Sequence, residues 1–208
     1  MNRPKPIRHW ILPALAAAML LSACSALQAP QVEDPHIYLL DARPAVKAVP
    51  SQRNLVVLVG TPRARPGFDT PQMAYLRQAH ELNYFAAHRW ADAPSRMLGP
   101  LMAQALEQTG SFQAVVQTPG TVAAQMKIDT ELLRLQQDFG TQPSRVQLTL
   151  RAQLIDLNQK QVVAVKLFDQ AESAISDDAY GGVMAANRLV ERFLVELADF
   201  CVNESAHR

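Results

Sequence analysis

Between Arg145 and Asp156 the sequence reads RVQLTLRAQLID, and this stretch restricts the fold more than any other. Val146, Leu148, Leu150, Ala152 and Leu154 alternate with Gln147, Thr149, Arg151 and Gln153. Successive side chains of a strand point to opposite faces, so a strict period of two predicts one buried face and one wet face. An earlier run places Met126, Ile128, Thr130 and Leu132 on one side in the same way. Downstream, Asn158-Gln159-Lys160 turns the chain into QVVAVKLF, so residues 144–169 read as a β-hairpin. NLVVLVG, from Asn54 to Gly60, is a continuous β-branched run ended by glycine and proline, as expected of a buried strand. HIYLL at His36 to Leu40 and FQAVVQ at Phe112 to Gln117 add short strands, and TPRARPGF reads as a loop.

Two segments carry the other period. From Pro94 to Thr109, Leu98, Leu101, Met102, Ala105 and Leu106 form a helical stripe closed by Gly110. From about Asp178 to Val202, Val183, Ala186, Val190, Phe193, Leu194, Leu197 and Cys201 fall on one stripe, while Arg188, Glu191, Arg192 and Glu196 face out. Asp177-Asp178 reads as the N-terminal cap of that helix rather than as a catalytic carboxylate pair. Residues 71–92 are ambiguous. Asp69-Thr70 before Pro71 would start a helix, whereas Met73, Tyr75, Leu82 and Tyr84 alternate like two strands around RQAHE. The sum is an α/β layer fold, a mixed, largely antiparallel sheet with helices packed on it, in a single domain.

The first residues set a different constraint. Arg3, Lys5 and Arg8 precede a mostly apolar run from Trp10 to Leu21, the layout of a secretory signal. That run is shorter than the about 20 residues needed to cross a bilayer as a helix. It ends in Leu21, Ser22, Ala23 and Cys24, which match a bacterial lipobox. The expected product is a chain cut before Cys24, with diacylglycerol on its sulfur and an acyl chain on the new amino terminus. Each buried methylene contributes about 0.8 kcal/mol and two or more chains hold stably, so such an anchor is durable. Ser25, rather than aspartate, follows the cysteine. By the usual sorting rule of diderm bacteria this directs the lipoprotein to the outer membrane, facing the periplasm. Residues 1–23 are thus the signal peptide, 24–35 the lipidated cysteine and tether, 36–203 the domain, and 204–208 a tail.

Removing three of the 20 Lys and Arg residues leaves 17 against 19 Asp and Glu, so the mature chain offers no general attraction for nucleic acid. With Cys24 acylated, Cys201 is the remaining thiol and no internal disulfide forms. Serine-hydrolase and zinc motifs are absent, and His80 and His88 are too far apart on a helix to share a metal without other ligands. No catalytic residue, metal or dissociable cofactor is expected.

With Cys24 in place, the order IYLL, NLVVLVGTPRARPGFDTPQMAYLRQAHELNYFAAHRWADAP, a helix, and TGSF resembles the ABC-type transport auxiliary lipoprotein family. Tyr84, Arg89, Trp90 and Pro94 carry its most specific part. The resemblance implies that residues 71–92 are strands. It also implies a non-enzymatic lipoprotein that docks an MCE-domain substrate-binding subunit of an ABC transport system at the outer membrane and assists intermembrane lipid transport. Because MCE assemblies form rings, it further implies a homo-oligomeric ring. Tyr84, Arg89 and Trp90 are of types enriched in binding hot spots; the alternative is that the rings pack the sheet edge and Arg89 pairs with a carboxylate. A stand-alone lipid-binding chaperone and a cell-envelope hydrolase are the competing functions.

The anchor has a direct test. Cell-derived protein should carry the mass of a triacylated Cys24, and Cys24→Ala should leave the membrane fraction; an unmodified sulfur would refute the assignment.

Overall fold

A single strand organises the sheet. β7 (Met126–Asp138) pairs along one edge with β8 (Arg145–Asp156), antiparallel from Met126 opposite Asp156 to Asp138 opposite Arg145. Its other edge is divided among three short strands, all parallel to it. β2 (Arg53–Val59) takes Met126 to Ile128, β3 (Arg63–Ala64) takes Glu131 and Leu132, and β4 (Gln72–Leu76) takes Gln136 to Asp138. Outside them, β6 (Phe112–Gln117) adds to β2 in parallel, and β5 (Leu82–Trp90) adds to β4 antiparallel. β1 (His36–Tyr38) then pairs with β5 in parallel, and β9 (Gln161–Ser173) closes the far side against β8. The computed structural model describes residues 34–49, 53–120 and 122–206. The signal segment, Leu21 to Cys24 and nearly all of the tether lie outside the described residues.

The sheet is mixed, as the sequence predicts, with its antiparallel character concentrated in the β7–β8–β9 meander. The segment 71–92 forms two strands. Within TPRARPGF, Arg63 and Ala64 form a two-residue strand that periodicity has no means to reveal. The β7–β8 register shifts between Leu132 and Arg134, so a bulge at Leu133 reverses the alternation beyond it. Met126, Ile128, Thr130 and Leu132 therefore share a face with Leu135 and Gln137.

Both helices cover that face. α1 (Pro94–Gln108) begins with proline at its first position, where no backbone N–H is needed, and ends before Gly110 at φ +63°. Thr130 Oγ1 on β7 meets Met102 Sδ on α1 at 3.7 Å. α2 (Ala179–Glu204) lies over β8 and β9. Phe168 of β9 meets Phe193 of α2 edge-on, with ring centres 5.1 Å apart. Leu98, Met102, Leu106, Leu132, Leu150, Leu189 and Phe193 are fully enclosed between the layers. Each such side chain contributes about 1.5–3 kcal/mol on burial, well above any single polar contact. The residues expected to face out from α2 have a second role. Arg188 and Arg192 both reach Glu172 at 2.9 Å, and Glu196 accepts from Gln170 at 2.7 Å, so they clasp the edge strand β9.

The two ends of α2 are bolted to the sheet. Asp178 Oδ1 caps the helix by accepting from the Gly181 N–H at 2.7 Å, and Asp177 Oδ1 accepts from the Ser144 N–H at 2.6 Å. Gln137 Nε2 donates to Ser144 Oγ at 2.9 Å and to the Asp178 carbonyl at 3.1 Å. At the other end, Arg53 of β2 donates to the Val202 carbonyl at 2.7 Å and to Ser205 Oγ at 2.6 Å, meeting acceptors that the last turn leaves open. Cys201 is buried on this helix, and burial pushes its thiol up to about 12. Among the described residues no helix is long and apolar enough to cross a membrane.

Gly182 permits the close approach at the first bolt, since a Cβ there would stand 2.2 Å from Gln137 Oε1. Alanine would favour the helix by about 1 kcal/mol, while displacing the doubly bonded Gln137 amide costs about 1–3 kcal/mol. Gly182→Ala should therefore be neutral to destabilising in the native background and stabilising in a Gln137→Ala background. Equal effects in both backgrounds, by chemical denaturation, would refute the contact.

The same junction sets the acid limb of stability. Backbone and hydroxyl donors of Ser144 lower the Asp177 carboxyl, and the Gly181 N–H followed by the Ser176 hydroxyl lowers Asp178. A lowered folded value adds stability that is fully present above the unfolded value of about 3.9 and is lost as pH falls through the folded value. Stability should thus decline as pH drops below about 4, and Asp177→Asn with Asp178→Asn should flatten that decline while keeping the cap. An unchanged slope between wild type and the double variant would contradict it.

Candidate docking surface

β5 lies between two neighbours. On one edge Leu82 to Tyr84 pair with Leu76 to Ala74 of β4 and, beyond a register shift, Arg89 pairs with Gln72; on the other edge His88 to Trp90 pair with His36 to Tyr38 of β1. Rings from three strands and a turn then line up. His36 stacks on His88 with centres 5.0 Å apart and planes 15° apart, and Tyr38 stacks on the same imidazole at 5.9 Å. Tyr38 Oη lies 3.0 Å from His88 Nδ1. Phe85 meets His88 edge-on at 5.9 Å, Tyr75 tilts onto Phe85 at 4.6 Å, and Phe139 from the β7–β8 turn closes on both. The Arg77 guanidinium ends the series, 5.8 Å from the Tyr75 ring centre and 6.0 Å from that of Phe139. Tyr180, in the first turn of α2, is 56% exposed and reaches Tyr38 at 6.3 Å.

These rings are half-buried or exposed, so their packing fixes their orientation while one side stays open to a partner. Large rigid aromatic area with an arginine at its margin is the composition of binding hot spots. The local field is mixed. Burial, then the charge of Asp178, then Tyr180, raises the Tyr38 hydroxyl above its ordinary range, and the surface meets the capped end of α2 there. No group of three or more His, Cys, Asp or Glu among the described residues is placed to hold a metal.

The four residues singled out by resemblance divide differently. Trp90 is 4% exposed and faces the interior against Met73, Leu135 and Ala186. The gap it lines, about 20 Å³, has room for one water rather than a ligand. Tyr84 is half-buried and donates to the Gly67 carbonyl at 2.9 Å, pinning the β3–β4 loop where Gly67 adopts φ +94°. Pro94 is buried at the start of α1. Arg89 is exposed and takes no part in the ion pairs among the described residues. Trp90 and Arg89 thus belong to the same strand as the ring series, but Tyr38, Tyr75, Phe85, His88 and Phe139 form it. In the sequence Tyr38 stands out only as part of a short strand and Tyr75 only as part of an alternating run, neither as a site residue.

A family model for the ABC-type transport auxiliary lipoprotein component matches residues 38–198, from β1 into α2. Among solved structures, a protein from Xanthomonas campestris superposes with a TM-score of 0.74 at 22% identity, over 82% of this chain and 97% of its own. A hypothetical protein from Chlamydia trachomatis superposes with a TM-score of 0.54 at 9% identity, over 75% of this chain and 100% of its own. At these identities the likeness concerns the fold. No functionally curated protein matches the chain. Through the match across residues 38–198, the chain belongs to the ABC-type transport auxiliary lipoprotein component family.

Proposed function

We propose that this protein is the outer-membrane-anchored, non-enzymatic accessory of an ABC/MCE-type intermembrane lipid transport system. Acyl chains on Cys24 hold it on the periplasmic face, and its body docks the MCE-domain substrate-binding subunit. The observation that carries this reading is the family match over residues 38–198, since that family is a lipoprotein component of ABC-type transport. The lipobox at Leu21 to Cys24 supports the anchor. The fully extended tether of about ten residues reaches roughly 35 Å, enough to hold the body off the bilayer.

The ring series supplies the docking contact. His36 and Tyr180 are its exposed members, so truncating them removes contact area without opening the core. The test is capture of the MCE-domain subunit from detergent-solubilised envelopes by the tagged lipoprotein, with the captured chains identified by mass spectrometry. His36→Ala with Tyr180→Ala should weaken capture by about tenfold or more, as for hot-spot truncation, with an unchanged melting temperature. Capture unaffected by the pair would remove the ring series from the interface. Absence of any MCE-domain chain with wild type would overturn the function itself.

A further inference from the structure

Some arginines on the sheet and helices have carboxylate partners: Arg151 pairs with Glu131, and Arg188 and Arg192 share Glu172. Arg53, Arg63, Arg89 and Arg145 have none among the described residues, and neither do Arg65, Arg77 and Arg134. The last three border one open cleft of about 680 Å³. The cleft also takes in Leu76, its partner Leu82, Gln136 and Asp138, which alternate with Tyr75 and Gln137 and so lie on the sheet face away from the ring series and α2.

The three cations come from separate elements: the β3–β4 loop, the end of β4, and the β7 bulge. Arg134 Nη1 donates to Gln147 Oε1 at 3.1 Å, an acceptor it shares with Gln136 Nε2. It is thus oriented by an amide dipole rather than by a carboxylate. The carboxylate of the cleft, Asp138, is taken up by the Gly140 N–H at 2.8 Å and by Gln147 Nε2 at 3.4 Å. Beside the charges lie Phe68, Leu76, Leu82 and Leu133. In a mature chain with more acidic than basic residues, this excess of positive charge is local.

We propose that the cleft binds a phosphate-bearing amphiphile, with the phosphate between Arg65 and Arg134 and the adjoining methylenes against Phe68, Leu76 and Leu82. Guanidinium forks match phosphate oxygens two at a time, and uncompensated ones in a concave site attract them most strongly. The volume suits a headgroup with the first part of its chains. An acidic peptide fits less well, because β4 and β7 pair with each other here and present no free edge for an extended chain. The inference stands on the cleft's own chemistry and not on the docking reading, whose surface shares only Arg77 with the cleft.

Calorimetric titration of the mature lipoprotein in a maltoside detergent tests it, with dihexanoyl phosphatidic acid, inorganic phosphate and hexaglutamate as probes. The phosphatidic acid should bind, and Arg65→Gln and Arg134→Gln should each weaken it about tenfold or more, with an unaltered melting temperature. Inorganic phosphate should bind the same site more weakly. Arg134→Lys, which keeps the charge and loses the fork, should fall between wild type and Arg134→Gln. Phosphate binding as tight as the lipid would make a free anion the ligand and overturn the amphiphile assignment. Preference for hexaglutamate, no binding, or binding indifferent to both arginines would overturn the site. The His36→Ala, Tyr180→Ala protein should bind the lipid as wild type does, which separates failure here from failure of the docking reading.

Discussion

The backbone of β7 is the constraint on which the rest depends. It has one edge saturated by β8 over its whole length, and the other shared end to end by β2, β3 and β4. Each of those parallel pairings is only two or three residues long. Such short ladders do not hold alone; they persist because the strands' side chains close the same apolar layer beneath α1 and α2. The order along β7 then decides where everything else goes. β4 lands at its C-terminal end, beside the turn that carries Phe139, and β5 and β1 extend outward from there. The aromatic surface is assembled where the sheet is farthest from the β2–β6 end.

Apolar burial and polar bolting do different work. Full burial of a leucine or phenylalanine contributes about 1.5–3 kcal/mol, and a net hydrogen bond about 0.5–1.5. With many enclosed side chains, the core therefore outweighs the bolts in stability. Yet an apolar stripe on a long helix tolerates sliding by a turn far better than a capped end does. Asp178, Asp177, Ser144 and Gln137 fix the start of α2 to β7 and β8, and Arg53 fixes its end to β2. Tyr180, two residues past the cap, takes its place beside Tyr38 from that register.

Elements with an unbroken period were legible before any coordinates. The β8 strand of the hairpin, both helices and buried Cys201 follow from spacing, because one face of each is buried along its length; the strand at 112–117 and the Asp178 cap follow from residue type. Legibility ended where the environment changes within an element. Leu132-Leu133 gives no sign of which leucine is the extra residue, since a bulge is chosen by the partner strand. Arg63-Ala64 is a strand only because β7 offers an edge. Residues 71–92 carry both periods, and only the resemblance pointed to strands. The site was the least legible part. Its rings come from Tyr38, Tyr75, Phe85, His88 and Phe139, far apart in the chain and joined by pairing that no local window records. Trp90 drew attention as a hot-spot type, and its indole lies in the core.

The two faces of the β4–β5 corner have opposite chemistry for a structural reason. On the covered side, α2 stops at Asp178, so the sheet beyond it needs rings rather than a helix to shield its apolar residues, and those rings stay half open. On the other side no layer is packed among the described residues, and the bulge at Leu133 turns Arg134 outward beside Gln147. Arg77, at the end of β4, touches both: it borders the cleft while its guanidinium rests on Tyr75 and Phe139. A partner pressed on the rings would compete for that guanidinium, and an anion in the cleft would draw on the same charge. Arg77 is thus a side chain that the two faces of the corner share.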